Sequence, residues 1–215
     1  MSFFRTLAVA GSSLAVALLA MVPAPALAKP TGHVRGTVTA ISATQLTLAT
    51  AHGPLSLSIT PDTKVAGLVR GSLAEITPGT FIGVANVPTG SVARALEVVI
   101  FPPIMKGTGE GDYPWDLPSG GHASAMTNGT VGMGGSSMMT NASVTGVSGG
   151  PGPLVVHVAY KGGTKVISIP PNVPIVRIVR GNLALVTPGK RVFVIVDHDV
   201  AFRINVGEHG VVPPM

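Results

Sequence analysis

Short runs of alternating apolar and polar residues recur along the chain, with the period of two that is typical of half-buried β-strands. The alternating runs are residues 46–50, 55–59, 154–160 and 164–169. Residues rich in Gly, Pro, Lys or His lie between the members of each pair and predict hairpin turns. Further short β-branched or apolar runs cover residues 64–69, 80–85, 93–100, 175–179, 191–196 and 201–206. The pattern predicts an all-β protein with about six short strands in each half.

The two halves contain the same phrase, VRGSLAEITPG at residues 69–79 and VRGNLALVTPG at residues 179–189. From residues 59–84 to residues 169–194 the offset stays at 110 without a gap, and 11 of 26 positions are identical. Upstream, the same offset aligns Val34 and Gly36 with Val144 and Gly146. A duplicated unit of about seventy residues with such short strands favours closed barrels, because closure removes exposed strand edges. The sequence therefore predicts two tandem small β-barrels in a two-lobed molecule.

Within the repeated phrase, Ser72 and Asn182 are good N-caps for a single helical turn that the Thr-Pro-Gly triplet ends. Arg70 and Arg180 precede this turn at matching positions. They could be a matched pair of anion contacts. The alternative, which we favour, is a pair of strand-end arginines that donate hydrogen bonds to carbonyls of the crossing turn.

Residues 1–28 have the features of an export signal: Arg5, an apolar run at residues 7–19, and the Ala-Leu-Ala cleavage site at residues 26–28. The mature chain is then expected to begin at Lys29, without a membrane span, in the periplasm or outside the cell. The sequence has no cysteine and a formal net charge of +5. The candidate partners are therefore an envelope protein or an anionic envelope ligand, whereas nucleic acid is not expected, because the basic residues form no cluster interleaved with aromatic residues.

Five stretches carry a resemblance to a known group of proteins. They are TPDTKV at residues 60–65, SLAEITPGTFIGV at 72–84, RALEVVIFPPIMKGTGEGDYPWDL at 94–117, MTNASV at 139–144 and INVGEHGVVPPM at 204–215. The chain resembles uncharacterised proteobacterial periplasmic proteins of the domain-of-unknown-function type. The resemblance implies an exported protein built from small OB-like β-barrels.

The middle of the chain, residues 105–140, is rich in Gly, Pro and Met and breaks the β pattern. We predict a crossover linker here, between a first barrel at residues 29–104 and a second at residues 141–215. The segment contains Tyr113, Asp116 and the chain's single tryptophan, Trp115. Trp115 could stack on a ligand such as a sugar, or it could pin the crossover against a core, which is the commoner use.

Methionine is concentrated in the same segment, and none of its methionines lies in a predicted strand. Thioether and imidazole groups in an oxidising compartment suit Cu(I). The candidate ligands are His122, Met126, Met133, Met138 and Met139. The alternative is a Gly/Ser/Met linker whose methionines bind nothing.

No catalytic motif is visible. The acidic residues are few, and Asp197-His198-Asp199 falls at a predicted hairpin turn. The sequence therefore favours a non-catalytic exported β-domain protein that binds an envelope protein or ligand through Tyr113, Trp115, Asp116, Arg70 and Arg180, with copper binding as the alternative function. No other cofactor is indicated.

Overall fold

The computed structural model describes residues 32–117, 137–149 and 152–214. In these ranges 13 strands form one mixed sheet. The strands of the first half are β1 (Gly32–Ile41), β2 (Gln45–Thr50), β3 (Gly53–Ser58), β4 (Lys64–Arg70), β5 (Phe81–Thr89) and β6 (Val92–Ile100). Those that follow are β7 (Gly111–Trp115), β8 (Ser137–Ser148), β9 (Leu154–Tyr160), β10 (Gly163–Ile169), β11 (Ile175–Arg180), β12 (Arg191–Asp197) and β13 (Val200–Gly207). Over the described ranges, no helix has the length and apolar character needed to cross a membrane.

The prediction of an all-β fold is confirmed, and most strand bounds lie within two residues of the predicted runs. Each predicted helical turn is a 3₁₀ turn, Leu73–Glu75 and Leu183–Leu185. The backbone N–H of Ser72 donates to Glu75 Oε1 at 2.9 Å, and the Ala184 N–H donates to Asn182 Oδ1 at 2.9 Å. These capping bonds satisfy backbone groups that a short helical turn leaves unpaired.

Two rings of five strands close within the sheet. In ring A the order is β1-β2-β3-β13-β12, and β12 pairs with β1 to close it. In ring B the order is β8-β9-β10-β6-β5, and β5 pairs with β8. The two remaining central strands, β4 and β11, pair with each other antiparallel and join the rings.

Each ring combines three neighbouring strands from one half of the chain with two from the other half, which corrects the prediction that each repeat unit closes its own barrel. After β4 the chain crosses from ring A to ring B, where the Gly79 N–H donates to Val144 O at 2.8 Å. After β11 it crosses back, and the Gly189 N–H donates to Val38 O at 2.8 Å. The first three strands of one unit are therefore completed by the last two strands of the other.

The hydrogen bonds from Gly79 to Val144 and from Gly189 to Val38 also correct the predicted alignment of the first strand of each unit. Val38 and Val144 occupy equivalent positions, and the bulge residue that follows each, Thr39 or Thr145, donates its hydroxyl across to the neighbouring strand. The offset at this point is 106, not 110, so Val34 and Gly36 do not match Val144 and Gly146. The hairpin from Val144 to its partner Val158 is longer by four residues than the hairpin from Val38 to its partner Leu48, which accounts for the difference.

Each ring encloses its own apolar core, and a third apolar cluster lies between the rings. Ring A is filled by residues such as Leu46, Leu57 and Ile204, and ring B by residues such as Ile82 and Ile167, all nearly inaccessible to solvent. The cluster between the rings is formed by Ala66, Leu68, Val99, Val176 and Ile178 from the central strands and β6. A site between the rings is therefore built from both halves of the chain.

Candidate functional site

Strand β7 lies in the segment predicted to be a linker and pairs antiparallel with β8. Its Asp112 forms an ion pair with Lys165 of β10, whose Nζ lies 2.7 and 2.8 Å from the two carboxylate oxygens. The Thr140 hydroxyl also donates to Asp112 Oδ1 at 2.7 Å. Both charged side chains are mostly buried. This cluster fixes the start of β7 on ring B.

Asp116, directly after β7, binds the other ring. Arg35 of β1 donates two hydrogen bonds to its carboxylate, at 2.8 and 3.0 Å, and His33 Nε2 lies 2.9 Å from Oδ2. Partial burial alone would raise the pKa of the Asp116 carboxyl. The hydrogen bonds from His33 and Arg35 and their positive charge outweigh burial and hold that pKa well below its ordinary value. The segment is therefore attached to ring B at one end and to ring A at the other.

Between these attachments, Trp115 and Tyr113 lie at the junction of the rings. The Trp115 ring stacks on His33 with centroids 4.5 Å apart, and His33 stacks in turn on Phe193 at 5.4 Å. The Tyr113 hydroxyl accepts a hydrogen bond from Asn141 Nδ2 at 2.9 Å, and burial raises the pKa of Tyr113. These contacts hold both aromatic rings in fixed orientations.

A cavity of about 160 Å³ lies beside this aromatic stack, between ring A and ring B. We call it the central cavity. Its walls are mainly apolar and come from both halves of the chain, including Leu68, Val99, Phe101, Met105, Ile178 and Phe193. A dry cavity of about 150 Å³ is large enough for benzene. The central cavity therefore has room for a ligand of similar size.

Several of the residues that line the cavity are polar. Trp115 Nε1, Asn141 Oδ1 and Asn205 Oδ1 are buried and have no hydrogen-bond partner among the described residues. Arg203 also lines the cavity. A buried polar atom without a partner costs about 1–3 kcal/mol. A ligand would recover part of that free energy only if the cavity wall shifted enough for the ligand to reach one of these atoms.

The structure brings three of the five predicted contact residues together. Tyr113 and Trp115 line the central cavity, and Asp116 anchors the segment that carries them. Arg70 and Arg180 are exposed and lie at opposite ends of the β4–β11 pair, where Arg70 is opposite Val176 and Arg180 is opposite Ala66. They therefore form no common anion site. Among the described residues neither makes a side-chain hydrogen bond to a turn carbonyl.

The prediction that no methionine lies in a strand is wrong for two of the copper candidates. Met138 and Met139 are consecutive residues of β8, and Met139 is buried in a cluster with Ala85, Val87 and Leu96. Neighbours in a strand point to opposite faces, so these two thioethers do not converge on one ion. His122, Met126 and Met133 lie outside the described residues, and copper binding there stays a prediction.

The sequence did not point to Asn141, Arg203 or Asn205 as site residues. The only available signal was weak: Arg203 and Asn205 are polar residues two apart in an apolar strand, so both side chains point to the same face. What that face meets depends on pairing between distant parts of the chain.

Comparison of the chain with protein-family models, curated proteins and solved structures finds no match. The resemblance to exported proteins with small OB-like barrels therefore stays a prediction.

Proposed function

We propose that this protein is a non-catalytic exported binding protein that holds a small, mainly apolar ligand in the central cavity. The observation that carries the proposal is the apolar cavity itself, with buried Trp115, Asn141 and Asn205 atoms that lack partners. Ligand sites typically combine apolar walls with a few polar groups that orient the ligand. At about 160 Å³ the cavity suits a ligand of about six to ten heavy atoms.

A small ligand fits these observations better than a protein partner. The polar atoms without partners are shielded inside the molecule, where the surface of another folded protein would not reach them. The nearby carboxylates are also already engaged, since Asp112 pairs with Lys165 and Asp116 with Arg35. Both have structural roles, which favours binding over acid–base catalysis.

We also propose that each five-strand ring is an OB-like barrel. Support comes from the number of strands and from the 3₁₀ turn that precedes the last two strands of each unit. Export is tested by expression with the complete leader in a bacterium. Cleavage after Ala28 would give a periplasmic chain whose measured mass corresponds to a start at Lys29.

Ligand binding can be followed through Trp115, because it is the only tryptophan of the chain. The protein would be titrated with small aromatic and branched aliphatic compounds while Trp115 emission is recorded. We expect a saturable change for some of them, with a rise in melting temperature from preferential binding to the folded state.

A pair of matched variants locates the binding. Val99→Leu adds a methylene group to the cavity wall, whereas Val147→Leu makes the same change at an exposed position. We expect weaker binding only for Val99→Leu. Equal binding by both variants, or no saturable response from folded wild-type protein, would contradict the proposal.

A further inference from the structure

Arg203 lies on β13 at the edge of the central cavity and has no carboxylate partner among the described residues. Its only recorded side-chain contact there is to Met105 Sδ, at 3.9 Å, and a thioether is a weak acceptor. By contrast, the partly buried cations Arg35 and Lys165 are each paired with a carboxylate, that of Asp116 and that of Asp112 respectively. Arg203 thus keeps strong hydrogen-bond donors that the described chain does not use.

The surroundings of Arg203 favour an anion. The side chain is half-buried, and desolvation lowers the pKa of its guanidinium. It also lines an adjacent groove of about 660 Å³ that contains Lys64 and Arg180. Both are exposed there, so their charges act only weakly on the cavity. A counter-ion would lower the free energy of a desolvated guanidinium, and a carboxylate fits its planar donors with two parallel hydrogen bonds.

The cavity beside Arg203 adds an apolar compartment, and Phe101, Ile178 and Phe193 form part of its walls. We propose that the central cavity takes a small monocarboxylate, whose apolar body fills the cavity and whose carboxylate pairs with Arg203. This inference rests on the proposed function and names the ligand class for the same cavity.

The inference is tested with two probes of similar size, benzoate and benzyl alcohol, titrated against the mature protein with Trp115 emission as the readout. We expect benzoate to bind wild-type protein at least about tenfold more tightly, because a hydrogen bond to a charged group contributes about 1.5–3 kcal/mol. Arg203→Met should weaken benzoate binding by about 10- to 100-fold and change benzyl alcohol binding by less than about threefold.

Arg180→Met is the matched control, because it removes a positive charge from the groove but not from the cavity wall. It should leave benzoate binding within about threefold of wild type, since exposed charges act weakly. Circular dichroism would establish that each variant is folded, and Arg203→Gln, which also removes the charge, replaces Arg203→Met if the latter does not fold.

Equal affinity of wild-type protein for the two probes would overturn the inference and leave the proposed function intact. Unchanged benzoate binding by folded Arg203→Met or Arg203→Gln would also overturn it. Failure of folded wild-type protein to bind either probe overturns this assignment of ligand class. Failure with the whole panel of small compounds would overturn the proposed function as well.

Discussion

Asp116 is the residue through which the segment carrying Trp115 is attached to ring A. Asp116→Asn keeps the shape of the side chain but removes the charge that Arg35 and His33 contact. About a third of the Asp116 side chain is exposed, so solvent screening reduces the loss. We expect the free energy of unfolding at pH 7 to fall by about 1–2 kcal/mol. Urea denaturation of the two proteins would measure it.

The effect of Asp116→Asn should depend on pH. The pKa of Asp116 is lower in the folded protein than in the unfolded chain, so as the pH falls the unfolded chain binds the proton first. The stabilisation is complete above about pH 5 and decreases as the pH falls below about 4. The stability difference should therefore shrink between pH 5 and pH 3. Asp62→Asn, at an exposed turn, is the control, and a difference independent of pH would contradict the argument.

Gly207 ends β13 where the C-terminal residues fold back along the sheet. A Cβ at this position would overlap the backbone carbonyl of Val211, and backbone cannot move aside as a flexible side chain can. We expect Gly207→Ala to lower the free energy of unfolding by about 1–3 kcal/mol. Gly152→Ala introduces a methyl group with no atom of the described residues within 4 Å and should change it by less than about 0.5 kcal/mol. Thermal melts of both variants would show whether Gly207 is the more sensitive position.

At the scale of the element, β7 depends on the ion pair between Asp112 and Lys165. Lys165→Met leaves a mostly buried carboxylate without its cation, and we expect a loss of about 2–4 kcal/mol. Adding Asp112→Asn to that variant removes the uncompensated charge. The double variant should therefore be more stable than Lys165→Met alone. Urea denaturation of the wild type, both single variants and the double variant would measure the coupling free energy between Asp112 and Lys165. Losses of stability that simply add would contradict the prediction.

Strands with a clear period of two were predictable from sequence because alternation is a local property. The predicted run at residues 154–160 coincides with β9, and Ser72 and Asn182 marked the two 3₁₀ turns. By contrast, β7 was missed, because Pro114 and neighbouring glycines obscure its alternation. The start of β8 was missed for a related reason, since Met138 and Met139 follow a Gly-rich stretch.

The site was only partly predictable, because its residues come from distant elements. Tyr113, Trp115 and Asp116 stood out as an aromatic and acidic group in one short segment. Arg203 and Asn205 did not, because their importance arises only when β13 pairs with β12 and β4. An alternating pattern shows which side chains are buried, but not which strand lies opposite.

At the scale of the whole molecule, similarity between the two units explains why the exchange of strands could not be predicted. Each unit supplies three strands that need two more strands to close a ring. Each unit also supplies two strands that can close such a ring. Similar strands have similar apolar faces, so the pattern alone fits completion within a unit or between units. The crossing turns at Gly79 and Gly189 direct the chain to the other ring, and the observed exchange follows.

This arrangement predicts how the protein behaves when it is divided. Residues 29–104 contain the first three strands of ring A but the last two of ring B, so neither ring can close within that fragment. We expect no folded monomer from residues 29–104 alone, or from residues 105–215 alone, a fragment that keeps β7 and all of β8. Each should remain unfolded, or form a dimer in which two copies complete each other's rings, because the units are similar.

Mixing the two fragments should restore a one-to-one complex. Sedimentation velocity and circular dichroism would follow it, with the undivided mature chain as the control. The complex should also depend on concentration, because joining two chains costs translational and rotational freedom that the single chain does not lose. A fragment that sediments as a folded monomer at micromolar concentration would mean that one unit can close its own ring. The central cavity is lined by residues of both units. Its formation would then not require the exchange of strands between the units.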